Sequence, residues 1–208
     1  MTKEEWHKAL VQRHGEELGK RFSEASVAVC GLGGLGSNVA VALARAGVGK
    51  LLLIDFDRVD ISNLNRQQYG VSQVGLYKTE AMKRNMEEIA PYCNVIAHTV
   101  RLSEDNLSLL NDCGIVCECF DSAEGKAMLV NGIAENYPDK YVVASSGMAG
   151  LHTGNTIRTR KVGKRLYICG DEMSDTEKDG TLFSARVMLC AAHQANTVQR
   201  IIAGKFDV

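Results

Sequence analysis

An α/β fold with a mostly parallel sheet follows from three features of this 208-residue chain. An apolar run, Val27 to Cys30, leads through a glycine-rich turn into a segment of helical periodicity, Ser37 to Ala46. A second apolar run, Leu51 to Ile54, follows and ends in Asp55, which completes a strand–helix–strand unit. Strand-like and helix-like segments then alternate to the end of the chain, the signature of parallel strands joined by crossover helices.

The elements are predicted in order. Lys3 to Phe22 is charged and helical in period and forms an N-terminal arm, residues 1–24. The strand, helix and strand of the glycine unit come next, with Gly47-Val48-Gly49 as the helix stop. A polar loop leads to a helix over Lys78 to Ile89, a strand over Asn94 to Val100 and a short helix over Glu104 to Leu110. A strand over Ile115 to Phe120, a helix over Ala123 to Asn136 and a strand over Tyr141 to Ser145 continue the alternation. An antiparallel pair, Asn155 to Thr159 with Arg165 to Ile168, extends the sheet, and a helix over Phe183 to Ile202 closes the chain. The two prolines, Pro91 and Pro138, fall at element boundaries.

Composition narrows the classes. Residues 1–208 are read as one domain, large enough for a sizeable core. A net charge of −1 argues against a nucleic-acid partner. No apolar stretch is long enough to span a membrane, and the N-terminus lacks a signal-peptide core. Seven cysteines without framework spacing suit a reducing compartment, so a cytoplasmic location is expected.

The chemistry concentrates between residues 27 and 78. Gly31-Leu32-Gly33-Gly34-Leu35-Gly36 places G-x-G-x-x-G between strand and helix, with Asp55 about 20 residues further on. Such a turn brings backbone N–H groups and a helix N-terminus to a phosphate, and an acid at the next strand end can accept from a ribose. NAD(P) or FAD is the default ligand of that fingerprint. The following segment, Phe56-Asp57-Arg58-Val59-Asp60-Ile61-Ser62-Asn63-Leu64-Asn65-Arg66-Gln67, argues for a triphosphate instead. Arg66 offers a planar fork to phosphate oxygens, and Lys78 can add a point charge. Away from a nucleotide turn, both would read as solvated surface residues.

The run GLGGLGS, then AGVG, then DFDRVDISNLNRQ, then Lys78 resembles the ThiF/MoeB/HesA superfamily, relatives of ubiquitin-activating enzymes. The likeness covers about Arg13 to Gly204 and, with SSGMAG and the C-terminal helix, is most similar to short thiamine-biosynthesis members. It implies a Rossmann-like domain that binds ATP and Mg2+ and adenylates the C-terminal glycine of a small ubiquitin-like sulfur carrier. Carried over by position, the resemblance gives an ATP set of Gly31, Gly33, Gly34, Leu35, Gly36, Asp55, Asp57, Asn63, Arg66, Gln67 and Lys78. Asp55 takes the ribose, Arg66 and Lys78 take phosphates, and Asn63 and Gln67 orient them. Asp121 serves the metal; the bare sequence equally allows a helix cap there. Arg13, on the N-terminal arm, corresponds to an arginine that relatives donate into a neighbouring subunit, which implies a homodimer.

Two departures from the family pattern stand out. Asp121 is followed by Ser122 where an asparagine is usual. The paired CxxC motifs that hold zinc in many members are missing, so no zinc is expected. Some relatives form a covalent link through a cysteine in the loop equivalent to Gly170–Thr181; here that loop is acidic and free of cysteine. Its neighbour Cys169 is expected to be a poor nucleophile, with its thiol raised by Asp171, Glu172, Asp175, Glu177 and Asp179. The fingerprint alone leaves an NAD(P)-dependent oxidoreductase open, and an inert carrier-binding scaffold is the remaining reading.

Overall fold

The computed structural model describes residues 1–208. Its centre is one seven-stranded sheet of order β3-β2-β1-β4-β5-β7-β6. The strands are β1 (Ser26–Cys30), β2 (Lys50–Ile54), β3 (Asn94–His98), β4 (Ile115–Glu118), β5 (Tyr141–Ser145), β6 (Arg158–Val162) and β7 (Leu166–Gly170). All neighbours are parallel except β6 and β7.

Strand alternation divides the core into two layers. Val27 and Val29 of β1 with Leu51 and Leu53 of β2 face α3 (Gly34–Arg45), α4 (Lys78–Ile89) and the long C-terminal helix α7 (Ser184–Ile202). Ala28, Cys30, Leu52 and Ile54 face the opposite way, against α5 (Ala123–Asn136) and the Glu104–Leu110 segment. Leu43, Leu53, Met82 and Met86 are sealed from solvent. Each such side chain contributes about 1.5–3 kcal/mol as an upper bound. No helix is long and apolar enough to cross a membrane.

Several expected boundaries moved. The N-terminal helix is two helices, α1 (Lys3–His14) and α2 (Glu16–Glu24), broken at Gly15 with φ 82°. Helix α3 begins at Gly34 rather than Ser37, so Gly34 and the last fingerprint glycine, Gly36, lie in its first turn. Residues Glu104–Leu110 form a 3-10 segment kinked at Asn106. Strand β3 stops at His98 and β4 at Glu118, which frees Val100, Cys119 and Phe120 to line a cavity. The antiparallel pair lies three residues later on its first arm: Asn155 sits in a 3-10 turn, and β6 starts at Arg158. Strand β7 also pairs in parallel with β5, so the pair belongs to the main sheet.

Candidate active site

The carboxyl ends of β1, β2, β4 and β5 open onto a cavity of about 550 Å3. It lies where the strand order turns from β1 to β4, the usual ligand crevice of such sheets. The glycine turn forms one wall. A Cβ on Gly36 would fall 1.8 Å from the carbonyl oxygen of Gly31, so only glycine allows this turn to close. A Cβ on Gly34 would meet Val187 at 3.0 Å and the Arg66 stem at 3.2 Å, so that glycine makes room for the arginine. No side chain caps α3, and the N–H groups of its first turn are left for an anion.

Asp55 is buried at the end of β2. Its carboxylate accepts from the N–H of Leu32 at 2.6 Å and of Asp57 at 2.7 Å. The Tyr69 hydroxyl donates to the Leu32 carbonyl at 2.8 Å, so Leu32 is held from both sides. Burial pushes the Asp55 carboxyl above its usual range, and Lys78 opposes that rise.

Arg66 projects over the turn. Its two Nη groups donate to Asn65 Oδ1 and Asn63 Oδ1, each at 3.0 Å, while its buried Nε has no acceptor. The guanidinium plane is therefore fixed while a donor is left unspent. Gln67 is buried on the cavity wall with an unpaired Oε1. Lys78 is buried, contrary to a solvated role; its Nζ donates to Asp57 Oδ2 at 2.9 Å and lines the cavity. Gly31, Gly33, Leu35 and Asn63 line it as well.

Asp121 stands exposed on the cavity wall. It is not the helix cap: Ser122 caps α5, its hydroxyl accepting from the Gly125 N–H at 3.1 Å. A lone exposed carboxylate matches the way Mg2+ binds beside phosphate, with most of its shell left to water and ligand. Arg13 lies exposed on α1 and is not part of its own chain's cavity.

Two parts of the site escaped sequence reasoning. Ile54, Phe56, Val100 and Leu102 make an apolar end fit for a flat base, with Arg101 stacked on Phe56 at 4.3 Å. Ile54 and Val100 read as plain strand and Phe56 as part of a polar loop; the early end of β3 leaves Val100 and Leu102 to line the cavity. At the other end, Glu118 is wholly buried and binds Lys126 Nζ through both oxygens, at 3.1 and 3.0 Å. Lys126 also donates to the carbonyl and hydroxyl oxygens of Ser145. Gln194 of α7 donates to the carbonyls of Glu118 and Val143. Burial raises the Glu118 carboxyl and the Lys126 ammonium opposes it.

Cys169 is a fully buried residue of β7, outside the cavity, against Thr159 and Thr197. Its thiol is raised, as expected, but by burial rather than by the acidic loop. Four of the five acids of that loop are occupied elsewhere: Asp171 on Arg186, Glu172 on Arg160, Asp175 on Lys178 and Asp179 on His152.

The model of the ThiF family matches residues 7–207. The tRNA threonylcarbamoyladenosine dehydratase of Escherichia coli (strain K12) is 36% identical over 140 residues, 66% of this chain and 51% of that protein. The adenylyltransferase and sulfurtransferase UBA4 of Candida glabrata is 37% identical over 142 residues, 67% of this chain and 32% of that protein. The chain thus spans about half the length, or less, of these curated relatives. The crystal structure of the E. coli dehydratase, TcdA, in complex with AMP superposes with a TM-score of 0.85 at 23% identity, over 95% of this chain and 94% of that one. At that identity the likeness is one of fold.

Proposed function

The chain belongs to the ThiF family, and on that premise we propose that it uses ATP to adenylate the C-terminal carboxylate of a small ubiquitin-like sulfur carrier that serves thiamine biosynthesis. The convergence of Arg66 and Lys78 beside an uncapped glycine turn carries this reading, since a dinucleotide pyrophosphate can rest on the turn's own N–H groups, whereas the greater charge of a triphosphate calls for side-chain cations as well. The triphosphate lies along Gly31–Gly36, with the ribose toward Asp55 and the base against Phe56, Val100 and Leu102. A carboxylate oxygen of the carrier attacks the α-phosphorus. The bond from that phosphorus to the bridging oxygen breaks, and pyrophosphate leaves with the electron pair.

Arg66 and Lys78 neutralise charge as it builds on the departing phosphates; such contacts act most strongly where water is excluded. Asp121 would hold Mg2+, which adds neutralising charge on the phosphates. The acyl-adenylate then awaits sulfur transfer, and sealed Cys169 takes no part. Activity as a homodimer, with Arg13 reaching the neighbouring site, completes this reading. The apolar side chains Phe183, Met188 and Leu189, left exposed on and beside the start of α7, supply a surface for such pairing.

A second reading draws on the dehydratase relatives and on the basic edge strand. Arg158, Lys161 and Lys164, on and just after β6, have no carboxylate partner, while Arg160 and Arg165 are paired with Glu172 and Asp139; the unpaired cations would suit a tRNA-borne substrate. One set of measurements separates the possibilities. Calorimetry is expected to show ATP binding tighter than NAD, and pyrophosphate exchange is expected to depend on a carrier protein ending in Gly-Gly. Arg66→Ala should lower that exchange by a factor on the order of 10², and Arg66→Lys should not restore it, because Asn63 and Asn65 hold a fork that an ammonium cannot offer. Exchange stimulated by tRNA and indifferent to the carrier would favour the second reading, and tighter NAD binding would exclude both.

A further inference from the structure

Ser145, the last residue of β5, is only 3% exposed and lies on the cavity wall. Its hydroxyl oxygen accepts from Lys126 Nζ at 3.1 Å, and the hydroxyl hydrogen has no acceptor within the chain. Lys126 is held in turn by both oxygens of Glu118, which also accept from the N–H groups of Phe120 and Ser145. A buried carboxylate, an ammonium and a hydroxyl therefore form a chain whose final O–H is unspent. Polarisation along such a chain strengthens its last donor. Just beyond Ser145, Gly147 and Met148 line the same cavity, and their N–H groups have no acceptor within the chain.

This cluster lies at the ends of β4 and β5, whereas Lys78 is held by Asp57 beyond the end of β2 and Arg66 lies over the first turn of α3. Its cation is largely neutralised by Glu118. It can offer hydrogen bonds to a monoanion without the net charge that a triphosphate calls for. A nucleophilic carboxylate needs such a seat: aligned, shielded from the phosphates, and not locked to a bare cation.

We propose that Ser145, with the backbone N–H groups of Gly147 and Met148, seats the terminal carboxylate of the second substrate, and that Lys126 and Glu118 are positioning residues that aim the Ser145 hydroxyl. The proposal rests on the adenylation reading, because it assigns that reaction's acyl substrate to the β4–β5 end of the cavity.

Glycylglycine and its C-terminal amide, glycylglycinamide, are titrated by NMR into the chain loaded with ATP. In the native chain the acid should bind at least about tenfold more tightly than the amide, as expected for hydrogen bonds to a charged acceptor. Ser145→Ala should lose about tenfold in affinity for the acid, change nothing for the amide, and bind ATP as before. The double variant Glu118→Gln/Lys126→Met, which leaves no lone buried charge, should repeat that pattern. Equal affinity for acid and amide, an unchanged affinity in Ser145→Ala, or a parallel loss of ATP binding would each overturn the assignment. If glycylglycine binds through Ser145 while carrier-dependent exchange is absent, the carboxylate seat stands and the adenylation reading fails.

Discussion

Asp121 and Ser122 are chain neighbours with separate tasks. Ser122 closes the first turn of α5 through its hydroxyl, while Asp121 faces the cavity with no capping duty. Asp121→Ala should therefore abolish carrier-dependent exchange and leave the melting temperature unchanged. Ser122→Ala should do the reverse, lowering stability by ~1 kcal/mol, as the loss of an N-cap typically does, with little effect on ATP affinity. Thermal melts and exchange rates of the two variants decide this, and a large fall in melting temperature for Asp121→Ala would return it to a structural role. The cysteines follow the same residue-level logic. Cys30, Cys119 and Cys169 are buried and their thiols are raised by burial, whereas the half-buried Cys93 is pushed up to about 11.

At the scale of elements, the acidic connection from β7 to α7 is latched at its root. Asp171 is buried against Arg186, whose guanidinium also donates to the carbonyls of His152 and Thr153. Burial alone would raise the Asp171 carboxyl, but the N–H groups of Ser174 and Met173, with Arg186, hold it below its usual value of 3.8. A depressed folded value means that the latch stabilises the fold above the ordinary aspartate range and loses that contribution as pH falls through the lower folded value. Hydrogen exchange of residues 172–181, taken relative to the intrinsic rate at each pH, should accordingly stay slow from neutral pH down to the ordinary carboxylate range, and accelerate only below it. Arg186→Met should accelerate it at neutral pH, because one member of a buried pair is left behind at a cost of ~3 kcal/mol. Unchanged exchange in that variant would show that the loop is held by Arg160–Glu172 and His152–Asp179 instead.

For the whole molecule, the decisive matter is whether a cavity is complete within one chain. Arg13 stands outside its own cavity, so the proposed homodimer makes a simple prediction. Arg13→Ala and Arg66→Ala chains should each be inactive alone. When mixed and allowed to exchange subunits, they should recover about a quarter of native activity, because half the dimers are mixed and each of those carries one intact site. Exchange assays on the mixture, with size-exclusion chromatography, test this, and no recovery from a verified dimer would confine Arg13 to the surface.

Much of the site could be read along the chain because its signals are local. The apolar strands, the glycine turn, Asp55 and the Asn63–Arg66–Lys78 run lie within about 50 residues, and their spacing is set by one strand–helix–strand unit. Tertiary structure alone decided the rest. Glu118, Lys126, Ser145 and Gln194 come from β4, α5, β5 and α7, and as isolated polar residues in apolar surroundings they carry no periodic signal. They become a group only when parallel strands place their carboxyl ends side by side. Strand β6 was displaced for a related reason: as an edge strand, its Arg158, Arg160 and Lys161 need no apolar face, so alternation does not mark where it starts. The break at Gly15 likewise depends on how α1 and α2 pack, which a continuous helical period conceals. Local chemistry thus marked the nucleotide turn along the chain, and long-range packing brought together the β4–β5 cluster proposed to seat a second substrate.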